Sequence, residues 1–320
     1  MMRRVFNFLR HLQQGTLLER LRWGWEERKE SRAWKAREDL ARRRKQQWDQ
    51  ALAQGGTLEI EVGAGARLLL EPGNRLAENI CLHQFEIRER TFVERYLRDG
   101  DVFVDIGANI GLYTVIAGKC VGSAGLVIAF EPAGATRARL EANIRLNSLT
   151  NVQVQSLALS DKNDSVPLNV PMDGFDAWAS LGVPTDGQAQ HSELVETATW
   201  DGFANDRGLD GLVAMMKIDV EGWERRVLAG AWATLSETDA PLLQVEFSDD
   251  AARAAGGDCA SLYRALDELG YCVCRFDAEA NKLVPDAMRP EYPFDNLYAT
   301  KRLQEDNERL AAAMTGKSRW

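Results

Sequence analysis

Residues 101–111, Asp-Val-Phe-Val-Asp-Ile-Gly-Ala-Asn-Ile-Gly, constrain the fold more than any other stretch of the chain. Val102 to Asp105 reads as a buried strand of apolar and β-branched residues that ends on an acid. A loop carrying Gly107 and Gly111 follows, and then an apolar run, Leu112 to Ala117, opens a helix. Strand, glycine loop and helix in that order build a ligand site in a doubly wound α/β domain. Gly107 lets the backbone turn and approach a ligand with no Cβ in the way. The pattern is Asp-x-Gly-x-x-x-Gly and lacks the Gly-x-Gly-x-x-Gly dinucleotide fingerprint. An acid at the strand end is awkward beside a pyrophosphate. It suits a ligand that carries an ammonium group and no phosphate.

The rest of the chain repeats the rhythm. Leu126–Phe130, Val152–Leu159, Leu212–Val220 and Leu242–Phe247 read as further strands. Gly111–Cys120, Ala133–Asn147, Trp223–Ala233 and Ser261–Leu269 read as the helices between them. Alternating strands and helices imply a mostly parallel sheet. Tyr271–Phe276 and Leu297–Lys301 suggest a late antiparallel hairpin closing one edge. The expectation is therefore an α/β, doubly wound, Rossmann-like domain over residues 101–301. Residues 55–100, with a hairpin (Thr57–Val62, Arg67–Glu71) and a helix (Phe85–Leu97), read as a cover on that core. Residues 1–54 read as a basic helical arm, and 302–320 as an exposed helical tail. Residues 160–210 are irregular and rich in Gly, Asp, Ser and Pro, with a strand expected at Leu194–Thr199.

Charge is distributed unevenly. Residues 1–50 hold 14 Lys and Arg against 7 Asp and Glu, whereas the whole chain carries a net −9. The acidic body excludes a broad nucleic-acid groove, which needs clustered positive charge. The arm has apolar faces (Val5, Phe8, Leu9, Leu12; then Leu17, Leu18, Leu21, Trp25) and two further tryptophans, Trp34 and Trp48. Two uses compete for it: peripheral contact with an anionic membrane face, or packing on its own body or a second subunit. The chain has 5 cysteines and 3 histidines, with no spacing that suggests a metal cluster. No apolar run approaches the roughly 20 residues of a bilayer span. The cytoplasm is the expected compartment.

Ligands in open α/β sheets bind past the carboxyl ends of the strands. Asp105, Gly107, Asn109 and Gly111 stand at the end of the first strand, and Glu131 at the end of the second. A carboxylate there can accept from both hydroxyls of a ribose. Ala158, Leu159 and Asp161 end the third strand and can meet an adenine edge. Asp219 and Glu221 end the fourth and Glu246 the fifth. S-adenosylmethionine, with its amino group, sulfonium and ribose, fits this set.

At these residues the chain resembles a known family. The run Asp105-Ile-Gly-Ala-Asn-Ile-Gly111, Phe130-Glu-Pro132, Asn143-Ile-Arg-Leu-Asn147, Ala158-Leu-Ser160, Lys217-Ile-Asp-Val-Glu-Gly222 and Glu246 is similar to the FkbM family of S-adenosylmethionine-dependent O-methyltransferases. The resemblance covers roughly residues 85–250. It implies a seven-stranded class I methyltransferase sheet with an antiparallel last strand. It also implies methyl transfer to a hydroxyl of a glycan sugar or a secondary metabolite, a chemistry at home in polysaccharide biosynthesis. Donor contacts fall on Asp105, Gly107, Asn109, Gly111, Glu131, Asn143, Ala158, Leu159 and Asp161.

A sugar hydroxyl is a poor nucleophile and needs a base, or a metal that lowers its pKa. Lys217, Asp219 and Glu221 alternate, so a strand through them would point all three to one face. Asp219 and Glu221 are the first choices for the proton. Asp219 with Glu246 holding Mg²⁺ through oxygen ligands is the alternative. Lys217 reads equally well as a structural ion pair with one of these acids. Glu86, Trp178 and His191 are acceptor-side candidates. Asn143 and Asn147, four apart on one helix face, can instead fix the adjacent loop. A non-catalytic, membrane-associated scaffold and an NAD-linked oxidoreductase are the competing functions. The missing dinucleotide fingerprint speaks against the second.

Overall fold

The structure is a computed structural model that describes residues 39–73, 75–171 and 190–316. The arm upstream of residue 39 and residues 172–189 of the irregular segment, Trp178 among them, lie outside the described residues, and so does the proposed membrane contact of the arm. Residues 39–54 are helical and form α1. A hairpin of β1 (Leu58–Gly63) and β2 (Ala66–Leu70) follows, then α2 (Arg75–Cys81) and α3 (Ile87–Tyr96). The central run is β3 (Val102–Ile106), α4 (Leu112–Val121), β4 (Leu126–Phe130), α5 (Gly134–Leu146) and β5 (Val152–Gln155). A small three-stranded sheet holds β6 (Ala158–Leu159), β7 (Asp164–Pro171) and β8 (Gln190–Ala198), in the order β6-β8-β7. Then come α6 (Trp200–Arg207), β9 (Val213–Ile218), α7 (Glu224–Gly230), α8 (Trp232–Ser236), β10 (Leu242–Phe247), α9 (Asp249–Ala254) and α10 (Cys259–Glu268). The chain closes with β11 (Cys272–Asp277), β12 (Lys282–Pro285), β13 (Asp295–Thr300) and α11 (Leu303–Gly316).

The main sheet has the order β12-β11-β13-β10-β9-β3-β4-β5. β5, β4, β3, β9 and β10 are parallel, and β13 inserts antiparallel between β10 and β11. The order reverses beside β3, so the switch point lies between β3 and β9, where a crevice opens at the strand ends. The sheet has eight strands rather than the expected seven. The extra one is β12, which pairs with β11 at the edge and intervenes in the expected late hairpin.

Alternation splits each central strand between two apolar layers. Phe103, Met215 and Leu242 join the layer that contains Trp48, the hairpin, α2, α3 and α4. Val104, Met216 and Leu243 join the layer formed with α6, α7 and α10. Residues 39–97 therefore cover one face of the sheet together with α4, and their apolar side chains are part of its core. Phe92 anchors that face, stacking on Tyr96 and meeting Phe276 edge-on and Tyr298 at a tilt. Aromatic pairs of this kind contribute about 0.5–1.5 kcal/mol beyond their buried area.

Three sequence expectations change. The third strand does not run from Val152 to Leu159. It stops at Gln155, and β6 leaves the main sheet to pair with β8. The last helix, α11, is not an exposed tail. Leu310 is fully buried, and Asp306 accepts hydrogen bonds from Tyr96 and Thr300. The expected single helix Trp223–Ala233 breaks into α7 and α8 at Ala231. Among the described residues no helix is long and apolar enough to cross a membrane.

Candidate functional site

The glycine loop from Gly107 to Gly111 leaves β3 at Ile106 and is stitched to the end of β4. The amides of Gly107 and Ala108 both donate to the Phe130 carbonyl, at 3.1 and 3.0 Å. Gly107 has φ +80, and a Cβ there would collide with the Asp219 carbonyl. Its role is thus a close approach of two loops of the protein. Gly111, at φ +94, meets Leu140 of α5 in the same way. Asn109 sits in the left-handed region at φ 50, and its amide donates to Glu131 Oε2 at 2.9 Å. The Ala133 amide donates to Glu131 Oε1 at 2.9 Å. A carboxylate offers about four lone-pair directions, so two remain for a vicinal diol. Burial pushes the Glu131 carboxyl up to about 7 against those two amides.

Asp105 does not line the crevice directly. It is fully buried beneath the loop, with Oδ2 accepting from Thr114 of α4 at 2.6 Å. Its other oxygen has no hydrogen-bond partner. The expected grip of Asp105 on a donor's ammonium group is in this geometry an indirect one, because the loop covers it. Asn143 is likewise structural. It is buried, its oxygen accepts from the Leu69 amide, and its nitrogen donates to the Ile110 carbonyl. Asn147 binds the Arg67 backbone on both sides of its amide, so the pair ties hairpin, α5 and donor loop together. Ala158 and Leu159 are buried in β6, leaving backbone alone to contact a ligand. Asp161 is exposed and pairs with Arg226 at 3.3 Å. His191 falls in β8 opposite Val170. Its side chain, like Trp178, lies outside the described residues.

The chemistry concentrates on the sheet face shared with α3 and α4. Lys217 is in register with Asp105 on one side and Gln244 on the other. Glu246 is in register with Asn296. Asp105, Lys217, Gln244 and Asn296 each lie two residues from an apolar residue of the layer containing Phe92, and Glu246 lies two beyond Gln244, so this polar row caps that layer at the strand ends. Lys217 is 3% exposed, and its ammonium binds Asp219 Oδ2 at 2.7 Å and lies 4.8 Å from the Tyr113 ring. Burial opposes its charge, but Asp219, Asp105 and Glu86 outweigh that and hold its pKa above the ordinary value. The reading of Lys217 as a structural ion pair thus describes its geometry.

Asp219 and Glu221 are not strand residues. β9 ends at Ile218, and Glu221 turns back in the left-handed region at φ 52. Buried Glu224 makes this turn, with Oε1 accepting from the amides of Val220 and Gly222 at 3.0 and 3.1 Å. The turn brings one carboxylate oxygen each of Asp219, Glu221 and Glu246 within 4.8 Å of one another. Burial raises the carboxyls of Glu221 and Glu246 well above the ordinary range, and the charge of Asp219 adds to both.

The N-terminal segment contributes Glu86. It precedes α3 at φ 46, a conformation that costs a non-glycine residue energy and is held where the surroundings over-determine it. Its Oε2 accepts from the Tyr113 hydroxyl at 2.8 Å and its Oε1 from Asn296 Nδ2 at 2.7 Å. Burial raises its carboxyl to about 7. Glu86, Asn109 and Glu221 all have positive φ, so backbone strain gathers here. A cavity of about 120 Å³, lined by Arg88, Arg275 and Arg289 among others, shares Asn296 with this row. Sequence reasoning overlooked Tyr113, Gln244 and Asn296 and gave Glu224 no role. The available signal was polarity at Gln244 and Glu246 inside a strand buried at all six positions.

A family model described as "Methyltransferase FkbM domain" matches residues 105–273. Among solved structures, the chain is similar to methyltransferase FkbM from Methylobacillus flagellatus KT at 16% identity and TM-score 0.39, covering 70% of this chain and 54% of that one. It is similar to an S-adenosylmethionine-dependent O-methyltransferase from Thermotoga maritima at 16% identity and TM-score 0.38, covering 76% and 77%. It is also similar to TYW2 from M. jannaschii, solved with AdoMet, at 13% identity and TM-score 0.38, covering 76% and 84%. The chain thus spans about half the length of the first of these. No curated protein matches.

Proposed function

The chain belongs to the FkbM methyltransferase family, and from that premise we propose that it moves the methyl group of S-adenosylmethionine to a hydroxyl of a sugar, in a glycan or a secondary metabolite. The observation that carries the reading is the juxtaposition of the donor loop with the acids after β9 and at the end of β10, joined through Lys217. The residues fit the donor. Glu131 keeps lone pairs for the ribose, and the loop from Gly107 to Gly111 backs the methionine end. Asp105 supports that end from below through Thr114.

Transfer needs the acceptor oxygen in line with the methyl carbon and a group to take its proton. The new bond is O–C, the bond that breaks is C–S, and the hydroxyl proton passes to a carboxylate. Asp219 is held by Lys217 through its Oδ2. Glu86 is half-buried with its carboxyl raised to about 7, which suits proton acceptance near neutral pH. Burial raises the half-buried Glu221 carboxyl as well. A cytoplasmic setting, with the basic arm for membrane contact or self-association, suits an enzyme of polysaccharide biosynthesis.

The test is a thermal shift with S-adenosylmethionine and with its demethylated product. A glycan-acceptor screen with labelled methyl donor follows. The absence of a shift with either compound would count decisively against the reading. Glu86→Gln should lower kcat by about 10²–10⁴-fold while leaving the donor-induced shift near wild type. An unchanged kcat would remove Glu86 from the chemistry.

A further inference from the structure

The three carboxylates of Asp219, Glu221 and Glu246 come from two strand ends and converge on one point. Glu246 is 5% exposed and its Oε2 has no hydrogen-bond partner. Directly across the β10–β13 pairing, Asn296 is 9% exposed and its Oδ1 is also without a partner. A buried acceptor oxygen left unmatched is costly, and here two belong to residues paired directly across one strand pair, so the site suits a donor or a cation. The ammonium that faces the cluster, Lys217, is already bound to Asp219 Oδ2. The backbone is set for convergence. Glu221 is held at φ 52, and Glu224 clamps the turn through two amides.

We propose that Asp219, Glu221 and Glu246 hold a hard divalent cation of the magnesium or manganese class, placed to bind the acceptor hydroxyl. The ligand set is all oxygen, with no histidine or cysteine in the cluster, which selects magnesium, manganese or calcium over zinc and copper. Magnesium uses few protein carboxylates and keeps other positions for water and substrate oxygens. The orphan Asn296 oxygen is an acceptor for a cation-bound water. A cation there lowers the pKa of a bound hydroxyl and turns its oxygen toward the donor loop. Glu221 then acts as a ligand, and Glu86 is left to take the proton. The sequence pairing of Asp219 with Glu246 becomes a three-residue site completed by the left-handed turn at Glu221.

The inference rests on the methyl-transfer reading, and the test separates the two. Full-length protein stripped with chelator is titrated with Mn²⁺ alone, and free Mn²⁺ is followed by electron paramagnetic resonance. One site per chain is expected. Glu246→Gln and, separately, Glu221→Gln should each weaken binding by about tenfold or more, while Glu131→Gln should leave it within about twofold of wild type. The demethylated donor reports on folding, and its thermal shift should survive in both ligand variants. No Mn²⁺ binding by wild type, or equal binding by wild type and both ligand variants, overturns the site. Donor-product binding without Mn²⁺ binding removes the cation and leaves methyl transfer standing. Mn²⁺ binding without any donor-product binding does the reverse.

Discussion

At Gly107 the space for a Cβ is occupied by the Asp219 carbonyl, and φ is +80. Gly107→Ala must therefore push the donor loop away from the β9 turn as well as adopt a strained backbone. It should destabilise the fold by more than about 1 kcal/mol and abolish the thermal shift with the demethylated donor. Urea denaturation and a ligand-shift assay check the two effects. A fully retained shift would mean that the loop relaxes without cost. The glycine was legible in the sequence as a turn residue at a strand end. Its real neighbour was not, because Asp219 is more than 100 positions away and meets it only through the β3–β9 pairing. The same holds for Glu86. The sequence offers Glu86 as an acceptor-side candidate, but its partners Tyr113 and Asn296 are fixed only by the tertiary structure.

Elements were legible where one period dominates. β3, β4 and β10 are short, largely apolar runs with an acid at or near the end, and they fall within one residue of where the sequence places them. Elements decided by partners were not legible. The split between β5 and β6 depends on β8 offering a second edge, and β12 depends on β11 being left open. α1 shows the same dependence in its burial. Charge density along it suggests a solvated helix, yet Trp48 is 2% exposed and sits in the layer shared with the hairpin and α2. Trp48→Ala should cost about 3–5 kcal/mol, read as a fall in the urea midpoint with the slope unchanged. A loss below about 1 kcal/mol, the range of surface substitutions, would show that α1 does not pack as described. A truncation meant to test the arm should end before residue 39, since removing residues 1–50 would also remove this core side chain.

At the scale of the whole molecule, buried acids set a pH dependence. The carboxyls of Glu86, Glu131 and Glu224 are each raised from an ordinary 4.5 to about 7, chiefly by burial. Between those values the folded chain keeps protons that the unfolded chain has released, so stability is greatest at the acid end and falls as pH rises. One such carboxyl, once ionised, weakens the fold by about 3 kcal/mol. In chelator, calorimetry should give a higher Tm near pH 5.5 than near pH 8, and Glu131→Gln should narrow the gap. A Tm that rises with pH over that range would refute the burial argument.

The sequence by itself determined the α/β class, the glycine loop after β3 and the acids at the strand ends, because alternation, glycine spacing and strand termini are local properties. Tertiary structure decided which acids meet. Parallel pairing sets Lys217 beside Asp105, the Glu224 clamp turns Glu221 inward, and residues 39–97 close the sheet face over the row. Those contacts join positions far apart in the chain, and they form only when burial of two apolar layers draws the sheet and its cover together.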